Sequence, residues 1–359
     1  MHNSKLSSFQ FALNRRKFLK YGSLALGTGL LSACVGTSNS TTNAGSTSST
    51  TFSKLNKVIL GTSWFAQAEH GGFYQAVATG LYQKHGLDVS INMGGSQVNG
   101  NQLLMAGTID FKMGYAIEAI KAIESGLPKI TVAAMFQKDP QALLTHPNAG
   151  NDRFEDLKGK KILLSTIAHT TFWPFLKQKY GYSDSQIGVY TFNVGSFVAD
   201  KSLVQQGYIT SEPHKIEQEG GFKPVELLMA NHGYTPYSST IETKRELVES
   251  NPDLVQRFVD ASIKGWYSYL EDPAPANVLI KQDNPEMTDE QLAHSLSKIK
   301  EYGIVKSGDA ETFGIGAMTQ ERWTQIYTDM VEAKVFNPNV NYQEAFTLDF
   351  VNKSVDAYV

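Results

Sequence analysis

The stretch that decides the fold is KVILGTSWFAQAEHGGFYQAVATGLYQKHGLDVSI, residues 57–91. Its first part, residues 57–62, contains a short apolar run that predicts a buried strand. Residues 73–84 place Phe73, Ala76 and Val77 on one face of a helix, and residues 87–91 alternate apolar and polar side chains as a strand does. The stretch therefore predicts one βαβ unit, in which the two strands run parallel.

The same alternation continues through most of the chain. Predicted strands lie at 110–114, 129–136, 161–165, 189–192, 207–211 and 225–229, and predicted helices lie at 98–106, 116–125, 170–180 and 197–206. A polar, turn-rich break at 147–152 divides the series in two. We therefore predict an α/β protein with two lobes, each a mostly parallel sheet covered by helices, and a cleft between them.

The segment after Tyr237 has a helical pattern. Residues 251–270 carry an apolar stripe that predicts a long amphipathic helix, and further helices are predicted at 274–281, 289–300 and 319–333. Trp266 and Trp323 lie on these helices and are predicted to be core residues. The simplest arrangement packs this helical part back on the first lobe.

The first residues differ from the rest. Arg15-Arg16 precede a modestly apolar, glycine-rich run that is too short to span a membrane, and together they predict a twin-arginine signal peptide over residues 1–33. The run ends in LSAC, which resembles the lipobox of bacterial lipoproteins and implies a diacylated Cys34. Residues 34–54 are then a flexible tether, since 36–51 carry no charge. We expect a protein held in the cell envelope by lipid, facing the periplasm or the cell exterior.

Composition excludes several classes of function. The net charge is −3, and residues 1–33 hold five basic and no acidic side chains, so the remainder is more acidic still. A chain without a basic stripe does not suit nucleic acid, which is recognised through clustered lysine and arginine. Cys34 is the one cysteine, which removes structural disulfides and cysteine-ligated zinc. We expect no metal, no cofactor and no nucleic-acid partner.

The predicted strand ends carry the candidate binding residues. Ligands of open α/β sheets bind beyond the carboxyl ends of the strands, where loops lead into helices. Trp64 suits stacking on a flat ring, and Glu69 suits accepting hydrogen bonds from ring amino groups. His70 either contacts the ligand edge or caps the following helix. The candidate ligand-binding residues are Trp64, Phe65, Glu69, His70, Tyr115, Thr166, His169, Asn193, Ser196, Glu212 and Tyr237.

Four segments carry a resemblance to a known family: WFAQAEHGGFYQAVATGLYQKHGLDVSI at 64–91, FEDLKGKKILLS at 154–165, GYITSEPHKIEQEG at 207–220 and NPDLVQRFVDASIKGWYSYLEDP at 251–273. They resemble the nitrate, sulfonate, taurine and thiamine-pyrimidine-precursor solute-binding proteins of ABC importers. The resemblance implies a type II periplasmic-binding-protein fold with a hinge. It places lobe one at 55–143 and 235–359 and lobe two at 147–231. It also implies a monomer that serves a permease and an ATPase.

The residues favour one solute class over others. The chain after Cys34 has four arginines, none at a predicted strand end, whereas sulfonate and phosphate sites often use the arginine fork. We therefore favour a pyrimidine-like nitrogenous ring, with alkanesulfonate, taurine or nitrate as the alternative. An exported hydrolase or transferase using Glu69 and His70 is the alternative from another class. The chain lacks the Gly-x-Ser-x-Gly nucleophile elbow and the His-Glu-x-x-His zinc motif that such enzymes use. We therefore expect that the protein is not an enzyme.

The anchor gives the first prediction. Cys34→Ser removes the thiol that carries the lipid, so the protein is expected to move from the membrane fraction to the soluble fraction. Fractionation of cells followed by immunoblotting measures this, with Ser38→Ala, which lies in the predicted tether outside the LSAC motif, as the matched control. Unchanged membrane retention of Cys34→Ser would refute the anchor.

Overall fold

In a computed structural model of the chain, residues 54–95 and 97–359 are described. The signal peptide, Cys34 and almost all of the predicted tether lie outside these residues, so those features stay predictions. The described chain forms an α/β protein with two five-stranded mixed sheets, each covered by helices. This confirms the predicted fold class.

The first sheet contains the βαβ unit that the opening stretch predicts. It has the strand order β2-β1-β3-β10-β4, with β1 (Asn56–Gly61), β2 (Leu87–Asn92), β3 (Phe111–Gly114), β4 (Lys129–Phe136) and β10 (Ser238–Lys244). Strand β1 runs parallel to β2 and β3, whereas β10 runs antiparallel to both of its neighbours. Helices α1 (Gly71–Ala78), α2 (Leu81–Lys84), α3 (Gly100–Met105) and α4 (Ala116–Glu124) connect the early strands. Gly80, in the left-handed region at φ 69°, separates α1 from α2 where one helix was predicted.

The second sheet repeats this plan with different strands. Its order is β7-β6-β8-β5-β9, with β5 (Gln141–Thr145), β6 (Ile162–Leu164), β7 (Ile187–Val189), β8 (Val204–Tyr208) and β9 (Val225–Leu228). Strand β6 is parallel to β7 and β8, and β5 is antiparallel to β8 and β9. Helices α5 (Phe172–Tyr180), α6 (Gly195–Ala199) and α7 (Glu212–Gly220) cover it.

Three strands differ from the sequence prediction. Strand β8 begins three residues before the strand predicted at 207–211 and takes up the end of the helix predicted at 197–206, since the segment buries Gln205 and Gln206 between two neighbouring strands. Strand β10 lies where the helical part was predicted to begin, and it is built mainly from buried serine, threonine and glutamate. Strand β5 was not predicted. Buried polar side chains inside a sheet lack the apolar signal on which such predictions depend.

The C-terminal part is helical, as predicted. It contains α8 (Arg245–Ser250), α9 (Pro252–Glu271), α10 (Ala274–Asp283), α11 (Asp289–Glu301), α12 (Asp309–Phe313) and α13 (Gln320–Glu332). Trp266 on α9 and Trp323 on α13 are both fully buried, which confirms them as core residues. Gly72 lets α1 approach α9, since an added Cβ would lie 2.2 Å from the Trp266 ring. Within the described residues, no helix combines the length and the apolar character needed to cross a membrane.

A buried charge cluster holds three strands of the first sheet together. The Glu242 carboxylate of β10 accepts hydrogen bonds from Lys112 Nζ of β3, at 3.0 Å, and from Lys129 Nζ of β4. All three side chains are at least nine-tenths buried. Removing one partner of a buried ion pair is costly because it leaves an uncompensated charge away from water.

Glu242→Gln is therefore expected to destabilise the protein by about 3–5 kcal/mol, because it leaves two buried ammonium groups without their carboxylate. Urea denaturation measures the change in the free energy of unfolding. The exposed Glu249→Gln serves as the control and is expected to stay within about 0.5 kcal/mol of the parent. A Glu242→Gln variant as stable as Glu249→Gln would contradict the structural role of the cluster.

Candidate functional site

A cavity of about 810 Å³ lies between the two sheets. Its walls come from both lobes and from the segment between α10 and α11. The lining includes Ser63, Trp64, Phe65, Glu69, His70, Tyr115, Ser238 and Ser239 on one side, Gln141, Ser165, Tyr190, Phe192, Tyr208, Glu212 and Lys215 on the other, and Glu286 from the segment between the helices. Small-molecule sites in proteins occupy a similar range of volumes, about 300–1,000 Å³.

The cavity brings together six of the residues proposed from the sequence: Trp64, Phe65, Glu69, His70, Tyr115 and Glu212. The other five do not line it. Thr166, His169, Asn193 and Ser196 are exposed. Tyr237 is fully buried and donates its hydroxyl hydrogen to Asp309. These five residues stay predictions that the cavity does not bring together with the other six.

Four aromatic side chains from both lobes form what we call the aromatic rim: Trp64, Phe65, Tyr190 and Phe192. The Trp64 ring lies 5.5 Å from Phe65 and 5.2 Å from Phe192, and Tyr190 lies 5.2 Å from Phe192, measured between ring centroids. Phe65 is 42% exposed and Phe192 is 52% exposed, so the rim has open ring surface. Such surface suits a flat ring, which stacks or packs edge to face on aromatic groups.

Tyr190 and Phe192 were missed because the sequence placed them inside a predicted strand at 189–192. Strand β7 ends at Val189, and the following residues turn toward the cavity. Phe192 adopts φ 60°, in the left-handed region that bulky side chains avoid. Strain of this kind is concentrated at functional sites, where the surrounding structure maintains it.

Glu69 lies in the short 3₁₀-helix Ala68–His70 and is 4% exposed. Burial raises the pKa of its carboxyl above the usual range, and the hydroxyl of Thr210, which donates a hydrogen bond to it, acts in the opposite direction. Its partner is thus a neutral hydroxyl from the other lobe. The carboxyl presents one buried, hydrogen-bonding edge to the cavity.

His70 immediately precedes α1 and is 1% exposed. Burial lowers its pKa to about 3, so the imidazole is neutral at physiological pH. It makes no side-chain hydrogen bond to the start of α1, so the capping alternative is not realised. Its Nδ1 atom is buried and has no hydrogen-bond partner among the described residues.

Glu212 begins α7 and is held from two directions. Its carboxylate accepts hydrogen bonds from the Tyr190 hydroxyl at 2.9 Å and from the Tyr208 backbone N–H at 2.8 Å. Burial raises its pKa. A carboxyl group fixed in this way positions Tyr190 in the aromatic rim.

The two lobes contact each other across the cleft. The hydroxyls of Tyr115 and Tyr208 lie 2.7 Å apart, and the hydrogen bond between Glu69 and Thr210 also joins opposite walls. Outside the cavity, Lys298 on α11 forms an ion pair of 2.9 Å with Glu226 on β9. These contacts join the two lobes across the cleft in this structure.

The charged groups of the cavity are mostly acidic. Glu69, Glu212 and Glu286 line it, whereas Lys215 is the one cationic side chain among its described lining residues. Among residues 54–95 and 97–359, no group of three or more histidine, cysteine, aspartate or glutamate side chains is placed to hold a metal ion.

Comparisons with known proteins agree with this architecture. A sequence model of the family described as NMT1/THI5 like matches residues 67–276. The chain is 26% identical over 308 residues to the riboflavin-binding protein RibY of Chloroflexus aurantiacus, covering 83% of this chain and 86% of that protein. It is also 26% identical over 280 residues to the formylaminopyrimidine-binding protein of Halalkalibacterium halodurans, covering 72% of this chain and 83% of that protein.

The fold is also similar to that of a solved structure. The periplasmic aliphatic sulphonate binding protein SsuA from Escherichia coli superposes with a TM-score of 0.63 at 14% identity, covering 81% of this chain and 91% of that one. At this level of identity the comparison concerns the fold alone. It supports the two-lobed periplasmic-binding-protein architecture.

One acidic group beside the cavity gives a pH prediction. Asp139 lies in segment 137–140, which joins the two sheets, and it is 4% exposed. Burial raises the pKa of its carboxyl to about 7, while the Gln141 backbone N–H, which donates to it at 3.0 Å, acts in the opposite direction. The folded state thus favours the protonated form. Its stabilising contribution is complete below the unfolded pKa near 3.8 and is lost as the pH rises to about 7.

Asp139→Asn keeps the hydrogen-bond acceptor without the ionisation. We expect it to gain stability relative to the parent as the pH rises from about 4 to about 7, by an amount on the order of 2–4 kcal/mol. Thermal unfolding at a series of pH values measures the difference. The exposed Asp152→Asn is the control, and parallel stability curves for the parent and Asp139→Asn would contradict the prediction.

Proposed function

Because this chain belongs to the NMT1/THI5-like family, we propose that it is the extracytoplasmic solute-binding component of an ABC importer. It captures a flat, nitrogen-containing ring by closure of the two lobes and delivers it to the permease and its ATPase. The observation that carries the proposal is the interlobe cavity in which open aromatic surface lies beside the buried Glu69–His70 edge. The names of the two relatives, which specify riboflavin and formylaminopyrimidine, support the same ligand class.

The aromatic rim and the buried edge have complementary tasks. Trp64 and Phe192 come from different lobes, so closure brings both against one ligand ring. Glu69 accepts a hydrogen bond from a ring N–H or amino group, and it can also donate one when protonated. His70, being neutral, offers one donor and one acceptor nitrogen. These groups together match a pyrimidine ring, whose edge alternates nitrogen and carbonyl or amino substituents.

The charge of the cavity favours a neutral ring over sulfonate, taurine or nitrate as the ligand. An anionic ligand would lie among Glu69, Glu212 and Glu286, with Lys215 as its one cationic neighbour in the described lining. Like charges at close range in a buried site are unfavourable. Neutral nitrogenous rings avoid this repulsion, so the cavity favours them over anions.

The same groups do not favour an exported hydrolase or transferase. General base catalysis requires a hydrogen bond from the base to the nucleophile and a pKa near the working pH. The His70 pKa near 3 and the unpartnered Nδ1 atom meet neither condition. We therefore propose that Glu69 and His70 recognise the solute and carry out no bond chemistry.

Lipid anchoring and the twin-arginine signal complete the proposal, although both lie outside the described residues. A diacylated Cys34 and the uncharged stretch 36–51 would hold the two lobes near the permease while they remain in the aqueous phase. Such a receptor works as a monomer, since one chain contains both walls of the cavity.

Isothermal titration calorimetry of the purified protein tests the ligand class. Riboflavin and formylaminopyrimidine represent nitrogenous rings, and an alkanesulfonate, taurine and nitrate represent the anions. We expect at least one ring compound to bind and the anions not to bind. Binding of the anions alone would overturn the proposed ligand class, and turnover of a bound ring that His70→Ala abolishes would overturn the non-catalytic role.

Trp64→Ala tests the aromatic rim. Loss of one stacking surface is expected to weaken the affinity for the ring at least about tenfold. Phe313→Ala, which removes a partly exposed aromatic on α12 outside the cavity, is the matched control and should bind as the parent does. Equal affinities of the two variants would exclude Trp64 from the binding surface.

A further inference from the structure

The cavity residues that directly follow the two connecting segments are polar. Segments 137–140 and 229–237 join the sheets, and the cavity residues that follow them directly are Gln141, the first residue of β5, and Ser238, the first of β10. Ser239 follows on β10, and Ser165 follows the end of β6. We call these four residues the polar floor.

The polar floor contains groups that the protein leaves without hydrogen bonds. The hydroxyls of Ser165, Ser238 and Ser239 and the Oε1 atom of Gln141 are buried and have no hydrogen-bond partner among the described residues. The three serines are 4%, 1% and 6% exposed. Buried polar groups are normally paired, and those that are not require an explanation such as a ligand. Since all four residues line one cavity, a ligand in that cavity is the natural partner.

The backbone of the polar floor also has a feature that is typical of ligand-binding sites. Ser239 adopts φ 46°, in the left-handed region, although it lies inside a strand. A serine in this conformation is strained, and such residues cluster at ligand-binding sites. The strain is found at the point where the chain returns to the first sheet and presents two successive serines to the cavity.

The floor is chemically different from the Glu69–His70 edge. It is uncharged, and each serine hydroxyl both donates and accepts a hydrogen bond. Ligand hydroxyls have the same dual capacity, so a ligand with several hydroxyl groups can pair with these serines without leaving an unpaired donor or acceptor. A charged group would find no counter-ion among the four floor residues.

The size of the cavity leaves room for such a group. Its volume of about 810 Å³ is near the upper end of the range of about 300–1,000 Å³ that holds drug-sized ligands. A single pyrimidine ring is smaller than a cavity of this volume. A ligand with a second, polar part would fill more of it and would offer partners to both the aromatic rim and the polar floor.

Building on the proposed function, we propose that the solute is a flat ring bearing an uncharged chain of hydroxyl groups, with the ring on the aromatic rim and the chain on the polar floor. The ring edge is hydrogen-bonded by Glu69 and His70. The chain is bound in its unphosphorylated form, because a phosphate would enter a cavity lined by three glutamates and one lysine. Phosphate esters of the solute therefore require hydrolysis before capture.

Three related compounds test the proposal by calorimetry with the purified protein. Riboflavin carries a ring system with a polyhydroxyl chain, lumiflavin has a methyl group in place of the chain, and flavin mononucleotide carries a phosphate at the end of the chain. We expect riboflavin to bind about tenfold or more tightly than either of the other two, since each lacks or disturbs contacts with the floor.

Two single variants locate the chain. Ser238→Ala and Ser165→Ala are expected to weaken riboflavin binding about threefold to tenfold and to leave lumiflavin binding unchanged. The ratio of the two dissociation constants is the readout, because a general loss of structure would affect both compounds alike. Ser250→Ala, an exposed serine on α8, is the matched control.

The outcomes separate this inference from the proposed function. Equal binding of riboflavin and lumiflavin, or binding of formylaminopyrimidine but of no flavin, would overturn the hydroxylated chain and leave the ring-binding function intact. Tight binding of flavin mononucleotide would overturn the selection against phosphate. Failure of every flavin and pyrimidine to bind would overturn the proposed function itself, and the inference with it.

Discussion

Segments 137–140 and 229–237 are the connections between the two sheets, and this double crossing is the constraint on which the rest of the structure depends. Each crossing leads into an antiparallel strand, β5 in the second sheet and β10 in the first. Because β10 enters between β3 and β4, it brings Glu242 between two lysines and Ser238 and Ser239 to the cavity. Fold stability and ligand recognition thus share one strand.

Burial controls the electrostatics of the cavity. It raises the pKa of Glu69 and Glu212 and lowers that of His70, so each group is shifted toward its neutral form. The neutral imidazole of His70 recognises a ligand by the direction of its hydrogen bonds rather than by charge. A site of this kind discriminates among uncharged rings by the pattern of donors and acceptors on their edges, and hydrogen bonds that a wrong ligand leaves unmade are costly.

Local patterns predicted much of the fold and about half of the proposed site. The βαβ unit at 57–91, the long helix α9 and the burial of Trp266 and Trp323 follow from apolar periodicity, which is a property of neighbouring residues. Trp64, Glu69 and His70 were found because they directly follow a recognisable strand. Strand β10 and the first part of β8 were not predicted, because their buried glutamine, serine, threonine and glutamate side chains carry no apolar pattern and are placed inside the sheets only by pairing with distant strands.

The sequence by itself determined the α/β class, the resemblance to solute-binding proteins and the cavity wall that follows strand β1. Each of these depends on short-range patterns and motifs. The tertiary structure alone decided which residues face one another across the cleft. Tyr190, Phe192 and the serines of the polar floor belong to the cavity because two sheets meet there. Local patterns do not contain that information, because the residues that face one another lie far apart in the chain. They become neighbours in a buried cavity only after the chain has folded.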